Sequence, residues 1–365
     1  MTIIFFYFLF FLALGQQLYR LYPIFLRGGF VDFWVYWEAT KAVLIGKDVY
    51  HGLYSGGTPF NYPPTFLSFF APFTFFPKSI ASLAFLFISL VALLVSIFLL
   101  VKLQFRKKER ITAFLLSAIL FIQYFPTKFT LTLGQINLIF LFLIVLSFYA
   151  FRKGKDVLSG VSLAIAALVK IFPGFLILFF FKEKRWKIIF PFLVTLVLVA
   201  ALTGLFFGPD LFFDYFATSS GLFFKAGGPS YFDQSLNGFL SRLNCPSSWR
   251  LALRLTFSLV LIVMFLRIED QAISFFGLMA AMTIFFSSFA WLHHYVVLIP
   301  LMIVLFSKLY RHNAALWLKL ALLLGYLLCS FHFRNPQVSI AQNILLASHP
   351  FTGAIILLFL AKKVA

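Results

Sequence analysis

"IASLAFLFISLVALLVSIFLLVKLQFRKKER", residues 80–110, decides the fold class. Between Ile80 and Gln104 the only charge is Lys102, and a helix of that length, rising about 1.5 Å per residue, crosses a hydrocarbon layer of about 30 Å. Five cations then cluster in KLQFRKKER, residues 102–110. The same alternation of apolar run and short basic loop recurs along the chain. The 365 residues are 62% hydrophobic and 11% charged, with 55 phenylalanines. A water-soluble domain of this size needs a larger polar skin. The expectation is an all-α polytopic membrane protein, one integral-membrane domain over residues 1–365.

The formal charge of +19 would suit a nucleic-acid partner, but its placement argues against one. Residues 102–110, 152–156, 182–187, 308–311 and 362–363 carry 16 of the 30 Lys and Arg, in short loops of the kind retained on the cytoplasmic side. With those loops inside, crossings fall near 2–19, 80–104, 111–126, 136–151, 188–206, 249–267, 271–289, 295–307, 314–330 and 347–361. The first reads as an uncleaved anchor, since it lacks a basic start and a small-residue cleavage site. Two large outer loops, 20–79 and 207–248, and two small ones, 127–135 and 331–346, hold six of the eleven acids: Asp32, Glu38, Asp48, Asp210, Asp214 and Asp233. Arg20 and Arg27 oppose the charge trend. Cys245 and Cys329 exclude a disulfide framework; they read as unpaired, with one bridge conceivable.

Two apolar segments do not fit as crossings. Residues 60–77, FNYPPTFLSFFAPFTFFP, carry four prolines and read as an interfacial or re-entrant helix. Residues 157–181 lie between two basic loops, so the segment must enter and return. LVKIFPGF, residues 168–175, supplies the break and places Lys170 at membrane depth.

FVDFWVYWEATKAVLIGKDVY, residues 30–50, follows the first crossing. Phe33, Trp34, Trp37, Leu44 and Ile45 recur at helical spacing, with Asp32, Tyr36 and Ala39 on another face. Composition alone reads this as a surface helix whose acids are merely solvated. Other outward-facing polar groups shift that reading: Gln135 and Asn137 in TLGQIN; Asp233, Gln234, Ser235, Asn237 and Arg242 in YFDQSLNGFLSR; His293 and His294 in WLHHY. Taken singly, each histidine reads as an interfacial helix end and Lys170 as a snorkelling side chain. No HxxxH or HExxH spacing supports a metal site. Together, a carboxylate among cations at membrane depth points to group transfer from a lipid phosphate, because such cations need an anion.

In that order, DFWVYWEA, LIGKDVY, FNYPP, GQIN, GVSLAIAALVKIFPGF, QSLNGFLSR and HHY resemble glycosyltransferase family 87, of the GT-C superfamily. The resemblance covers most of residues 30–300. Where that pattern has Asn before QSL, this sequence has Asp233. The resemblance implies a GT-C-type bundle of about 10–12 transmembrane helices and a polyprenyl-phosphate sugar, mannose foremost, as donor. It also implies a first-loop acid as catalytic base, the place Asp32 occupies, with Asp48 as rival.

A carboxylate must take the proton of a sugar hydroxyl as it attacks the anomeric carbon, and fixed cations stabilise the departing phosphate. One displacement inverts the centre and needs no second carboxylate. Lys170, Arg242 and His293 or His294 are the expected cations. Tyr36, Tyr50, Tyr62 and Gln135 would bind sugar hydroxyls or orient the base, and Asp48, Asn137, Gln234 and Asn237 complete the expected substrate-binding set. No cofactor is expected beyond the donor lipid as co-substrate. The expected partners are membrane lipids, that donor and a glycolipid or polysaccharide acceptor, at the extracytoplasmic face of a plasma membrane. The alternatives are a flippase of lipid-linked sugars and a ligase or polymerase using pyrophosphate-linked glycans.

Overall fold

The computed structural model describes residues 2–27, 30–224, 230–333 and 343–365. They form an all-helical polytopic bundle whose only strand pair is a small antiparallel hairpin, Leu53–Tyr54 with Thr58–Pro59. Five helices are long and apolar enough to cross a membrane: Ile3–Leu26, Lys78–Gln104, Trp186–Phe207, Ser247–Arg267 and Leu292–Arg311. A bent pair, Lys107–Gln123 with Phe125–Leu133, makes a sixth candidate. The expected crossings at 136–151, 271–289 and 314–330 are apolar helices of 10–17 residues, shorter than a straight crossing of about 20 residues.

Three boundaries differ from the sequence reading. Helix α1, Thr2–Leu26, runs past residue 19 and takes in Arg20 and Pro23, so the first outer loop begins later. Arg20 is accommodated because Nη2 donates to the Lys128 carbonyl at 2.8 Å. Residues 127–135 are not a loop. After α2 (Val31–Leu44), α3 (Pro64–Phe70), α4 (Lys78–Gln104) and α5 (Arg110–Gln123), the chain bends by 60° into α6, Phe125–Leu133. Pro126, without an N–H, sits in the first turn of α6 and cannot continue the ladder of α5. The third difference is the loop 207–248, which carries a helix at Asp210–Phe224 and another at Leu236–Arg242.

The expected breaks are present. Residues 64–75 form a short helix and a 3-10 turn. Helix α8, Asp156–Val169, follows α7, Asn137–Arg152, and stops at Lys170, whose backbone is extended at φ −145°, ψ 128°. A 3-10 turn over Phe172–Leu176 follows, with Pro173 in its first turn. Close helix contacts hold the bundle. A Cβ on Gly160 of α8 would stand 2.3 Å from the Ile188 carbonyl, and one on Gly325 2.8 Å from the Leu357 side chain. Small residues let backbones approach where apolar burial gives no net attraction. Both cysteines are free, Cys329 buried and Cys245 half-buried.

Candidate functional site

Helix α2 is held from below by aromatic rings. Phe33 lies 5.5 Å from Phe70 and 5.3 Å from Phe85, and Tyr36 lies 4.8 Å from Phe66 between ring centroids. Its inner face is therefore Phe33, Tyr36, Ala39, Thr40 and Val43, all buried. Leu44 and Ile45, expected on an apolar face, are 45% and 67% exposed. They lie where the helix ends and Gly46 turns the chain, beyond reach of that aromatic floor. Trp34 and Trp37 are half-buried beside Lys78, whose ammonium sits 4.0 Å above the Trp34 ring and 2.6 Å from Glu38 Oε1. Glu38 also accepts from the Ser55 amide at 2.9 Å and hydroxyl at 2.7 Å, fastening the hairpin to α2.

Asp32, in the first turn of α2, is half-buried. Its Oδ2 accepts from Gln135 Nε2 at 2.6 Å. Gln135 Oε1 in turn accepts from Tyr36 Oη at 2.8 Å and Tyr62 Oη at 2.9 Å, and the two phenols lie 2.7 Å apart. An ionised carboxylate only accepts, so the Gln135 NH₂ must face Asp32 and its oxygen the two phenols. Asp32 Oδ1 receives no hydrogen bond from the described residues. Burial pushes the carboxyl above the ordinary range; the Gln135 hydrogen bond and the Lys170 charge pull it part of the way back.

Gln135 reaches Asp32 through Gly134, which ends α6 in the left-handed region at φ 68°. A Cβ there would meet the Phe33 Cβ at 2.7 Å and the Phe30 Cβ at 3.1 Å. Glycine thus serves twice, for the turn and for the closeness of α6 to α2.

Lys170 approaches from the break after α8. Its Nζ donates to Asn137 Oδ1 at 2.6 Å, lies 3.1 Å from His294 Nε2 and sits 5.5 Å from the centre of the Tyr62 ring. An ammonium only donates, so His294 Nε2 accepts and its proton is on Nδ1. That Nδ1 is buried without a partner, as is His293 Nδ1. The His293 carbonyl is held by Asn137 Nδ2 and Thr130 Oγ1, each at 3.2 Å. Among the described residues Asp32 and Lys170 enter no ion pair within 4.0 Å. The two charges are close enough for the Lys170 charge to act on Asp32, yet they form no direct ion pair.

Tyr50 borders this network, donating to the Tyr62 carbonyl at 2.9 Å. Asp48 does not join it. More than half exposed, it caps a turn, accepting from the Tyr50 and His51 amides at 2.9 and 3.2 Å and pairing with His51 Nδ1 at 2.8 Å. Slight desolvation would raise its carboxyl, but these hydrogen bonds hold it below the usual range.

Gln234, Asn237 and Arg242 form a second network. Gln234 Nε2 donates to the Ala347 carbonyl at 2.8 Å, and Asn237 Nδ2 to the Ser288 carbonyl at 3.1 Å. Arg242 donates to the Ser230 and Asp233 carbonyls, both at 2.7 Å, and to Ser348 Oγ at 2.9 Å. None touches Lys170. The network meets the first through the backbone bridge between Asp233 and Trp291, two residues before His293. Asp233 Oδ1 accepts from the Ser235 and Ala290 amides at 3.0 Å each, while Oδ2 is buried without a partner. Burial pushes this carboxyl up against those hydrogen bonds and the Arg242 charge.

Three contributors escaped the sequence reading. Thr65 Oγ1 donates at 2.6 Å to the Leu168 carbonyl, which the break at Lys170 leaves without a helical donor. Thr130 supports the histidine backbone, and Gly134 sets the approach of Gln135. Thr65 directly follows the Pro-Pro pair and Gly134 directly precedes Gln135, so motif neighbours were the available signal.

Comparison with known proteins gives two results. The chain matches Glycosyltransferase family 87 over residues 60–288; that stretch holds Gln135, Asn137, Lys170 and the 231–242 segment, and stops short of Asp32, His293 and His294. A solved structure of ArnT from Cupriavidus metallidurans in the apo state aligns over 96% of this chain and 77% of its own, at 13% identity and a TM-score of 0.38. No curated protein matches. With well over half of its length inside the family pattern, the chain belongs to glycosyltransferase family 87, and is a multi-pass membrane glycosyltransferase.

Proposed function

We propose that this glycosyltransferase moves a hexosyl group, mannose foremost, from a polyprenyl-phosphate sugar to a hydroxyl of a glycolipid or glycan. The reaction inverts the anomeric centre and takes place at the extracytoplasmic face of the plasma membrane. Asp32 Oδ1, which receives no hydrogen bond from the described residues, accepts the acceptor's hydroxyl proton while Gln135 holds the other oxygen. The hydroxyl oxygen bonds to the anomeric carbon, and the bond from that carbon to the phosphate oxygen breaks. Lys170, held by Asn137 and His294, receives the negative charge that develops on the phosphate.

The observation that carries this reading is a carboxylate and a lysine brought to the same tyrosine without an ion pair between them: Gln135 joins Asp32 to the Tyr62 hydroxyl, and Lys170 sits 5.5 Å from the Tyr62 ring. A cation at membrane depth is unfavourable without an anion, and a lipid phosphate supplies one.

Purified protein in lipid nanodiscs, given radiolabelled polyprenyl-phosphate mannose and a panel of glycolipid acceptors, tests it. Wild type transfers label, and Asp32→Asn loses about 10²–10⁴-fold in rate while folding normally. A well-folded Asp32→Asn at wild-type turnover removes Asp32 as base. Donor that crosses the bilayer with its sugar–phosphate bond intact, and no transfer, assigns the same groups to a transport path.

A further inference from the structure

Towards the end of α1 that leads into α2, Gln16, Gln17 and Arg20 interrupt an apolar helix. Gln17 is 1% exposed, and both its amide atoms are buried with no partner among the described residues. Three residues on, and so on the same helical face, Arg20 spends Nη2 on the Lys128 carbonyl at 2.8 Å and Thr132 Oγ1 at 3.3 Å. Its Nε is buried and unpartnered. Lys128 belongs to α6, and Arg20 holds its backbone carbonyl, so both cationic residues lie where α1 meets α6. All eleven carboxylates of the chain lie among the described residues, and neither Arg20 nor Lys128 enters an ion pair with any of them.

Two like charges and an unsatisfied amide at membrane depth are unfavourable unless an anion joins them. Arg20 lies six residues from the end of α1, about 9 Å along the helix, on the side of the bundle that carries Asp32. Tyr19 and Tyr22 beside it are 81% and 62% exposed, the placement of tyrosines that mark headgroup depth. The helix offers its flank to lipid, since only 11% of its most apolar stretch is buried.

We propose that Arg20, Lys128 and Gln17 bind the phosphate of an anionic membrane lipid, phosphatidylglycerol in chemistry, in the leaflet on the Asp32 side. Arg20 Nε and Gln17 Nε2 donate to phosphate oxygens, Lys128 supplies the second charge, and a headgroup hydroxyl donates to Gln17 Oε1. The site is separate from the Asp32–Lys170 network and independent of the donor's identity. Because α6 ends at Gly134–Gln135, the bound lipid braces the helix that carries the clamp on Asp32.

Native mass spectrometry of purified protein titrated with phosphatidylglycerol or phosphatidylcholine tests it. Wild type retains one phosphatidylglycerol at concentrations that leave phosphatidylcholine unbound. Arg20→Gln and Lys128→Gln each lower that occupancy about tenfold, the loss of one charge-assisted hydrogen bond, and Arg20→Lys largely restores it. Lys128→Gln removes no bond to any described residue, so it carries the test if Arg20→Gln fails to fold. Equal binding of both lipids, or variants that hold phosphatidylglycerol as wild type does, overturns the proposal. Inorganic phosphate bound as tightly as the lipid overturns the lipid assignment; lipid retained in millimolar phosphate supports it.

Discussion

Gln135 Nε2 and Asp32 Oδ2 meet at 2.6 Å although 103 residues separate them, and two tyrosine hydroxyls hold the other end of that amide. Gln135 is thus a positioning residue for the carboxylate. Gln135→Leu should lower kcat about 10²-fold, the loss expected from a misplaced reacting group, with little change in KM. Steady-state kinetics in nanodiscs separate the two. A Gln135→Leu enzyme with altered KM and unchanged kcat would place the residue on the substrate instead.

The acid limb of the pH profile reports Asp32. Burial raises its pKa above the ordinary value, while the Gln135 hydrogen bond and the Lys170 charge lower it. The base must be ionised to accept a proton, so activity is full above the raised pKa and is lost as pH falls through it. Gln135→Leu removes one lowering influence, and the limb should move to higher pH. A limb that stays in place in Gln135→Leu contradicts the assignment.

Asp48→Asn separates the rival base from the expected one. Asp48 is exposed and tied to its own turn, so its loss should leave kcat within about twofold of wild type and stability within about 0.5 kcal/mol. Side-by-side assays of Asp48→Asn and Asp32→Asn decide between the two carboxylates.

Gly134→Ala should destabilise the junction of α2 and α6 by about 1–3 kcal/mol, from positive φ and the 2.7 Å approach to Phe33. Activity should fall with it, because Gln135 moves. Thermal unfolding followed by tryptophan fluorescence reads the first effect and label transfer the second.

Asp233→Asn should be neutral or stabilising. Its Oδ1 already accepts two backbone N–H groups, as an asparagine oxygen would, and the unpartnered Oδ2 would become an uncharged amide. A lower unfolding temperature for Asp233→Asn would show that its negative charge is needed against Arg242.

The fold class was legible because a run such as Ile80–Gln104 has one physical reading. The breaks at 60–77 and at Lys170 were legible from proline and from a cation no apolar helix centre tolerates. The run of the chain through 127–135 was not, because helix and loop there differ only in how Pro126 redirects a continuous apolar pattern. Within the site, the sequence placed Asp32, Gln135 and Lys170 in outer or broken segments, but not which of them meet. It grouped Arg242 with Lys170, since both are cations near the outer face. Arg242 instead binds carbonyls of its own loop and Ser348. Pairing at that range depends on helix packing, which residue type does not encode.

The second network has a consequence for biogenesis. Gln234 and Arg242 find partners at Ala347 and Ser348, beside the last helix, His349–Val364. A nascent chain emerging vectorially from a ribosome exposes residues 231–242 more than a hundred residues before those partners are synthesised. Residues 231–242, bridged at Asp233 to the stretch of chain that leads to the two histidines, therefore become fully fastened only after Ala347 and Ser348 have been made. Chains released early, or trimmed near residue 345, would carry every residue of the Asp32–Lys170 network and still lack the latch that steadies the histidine side of it.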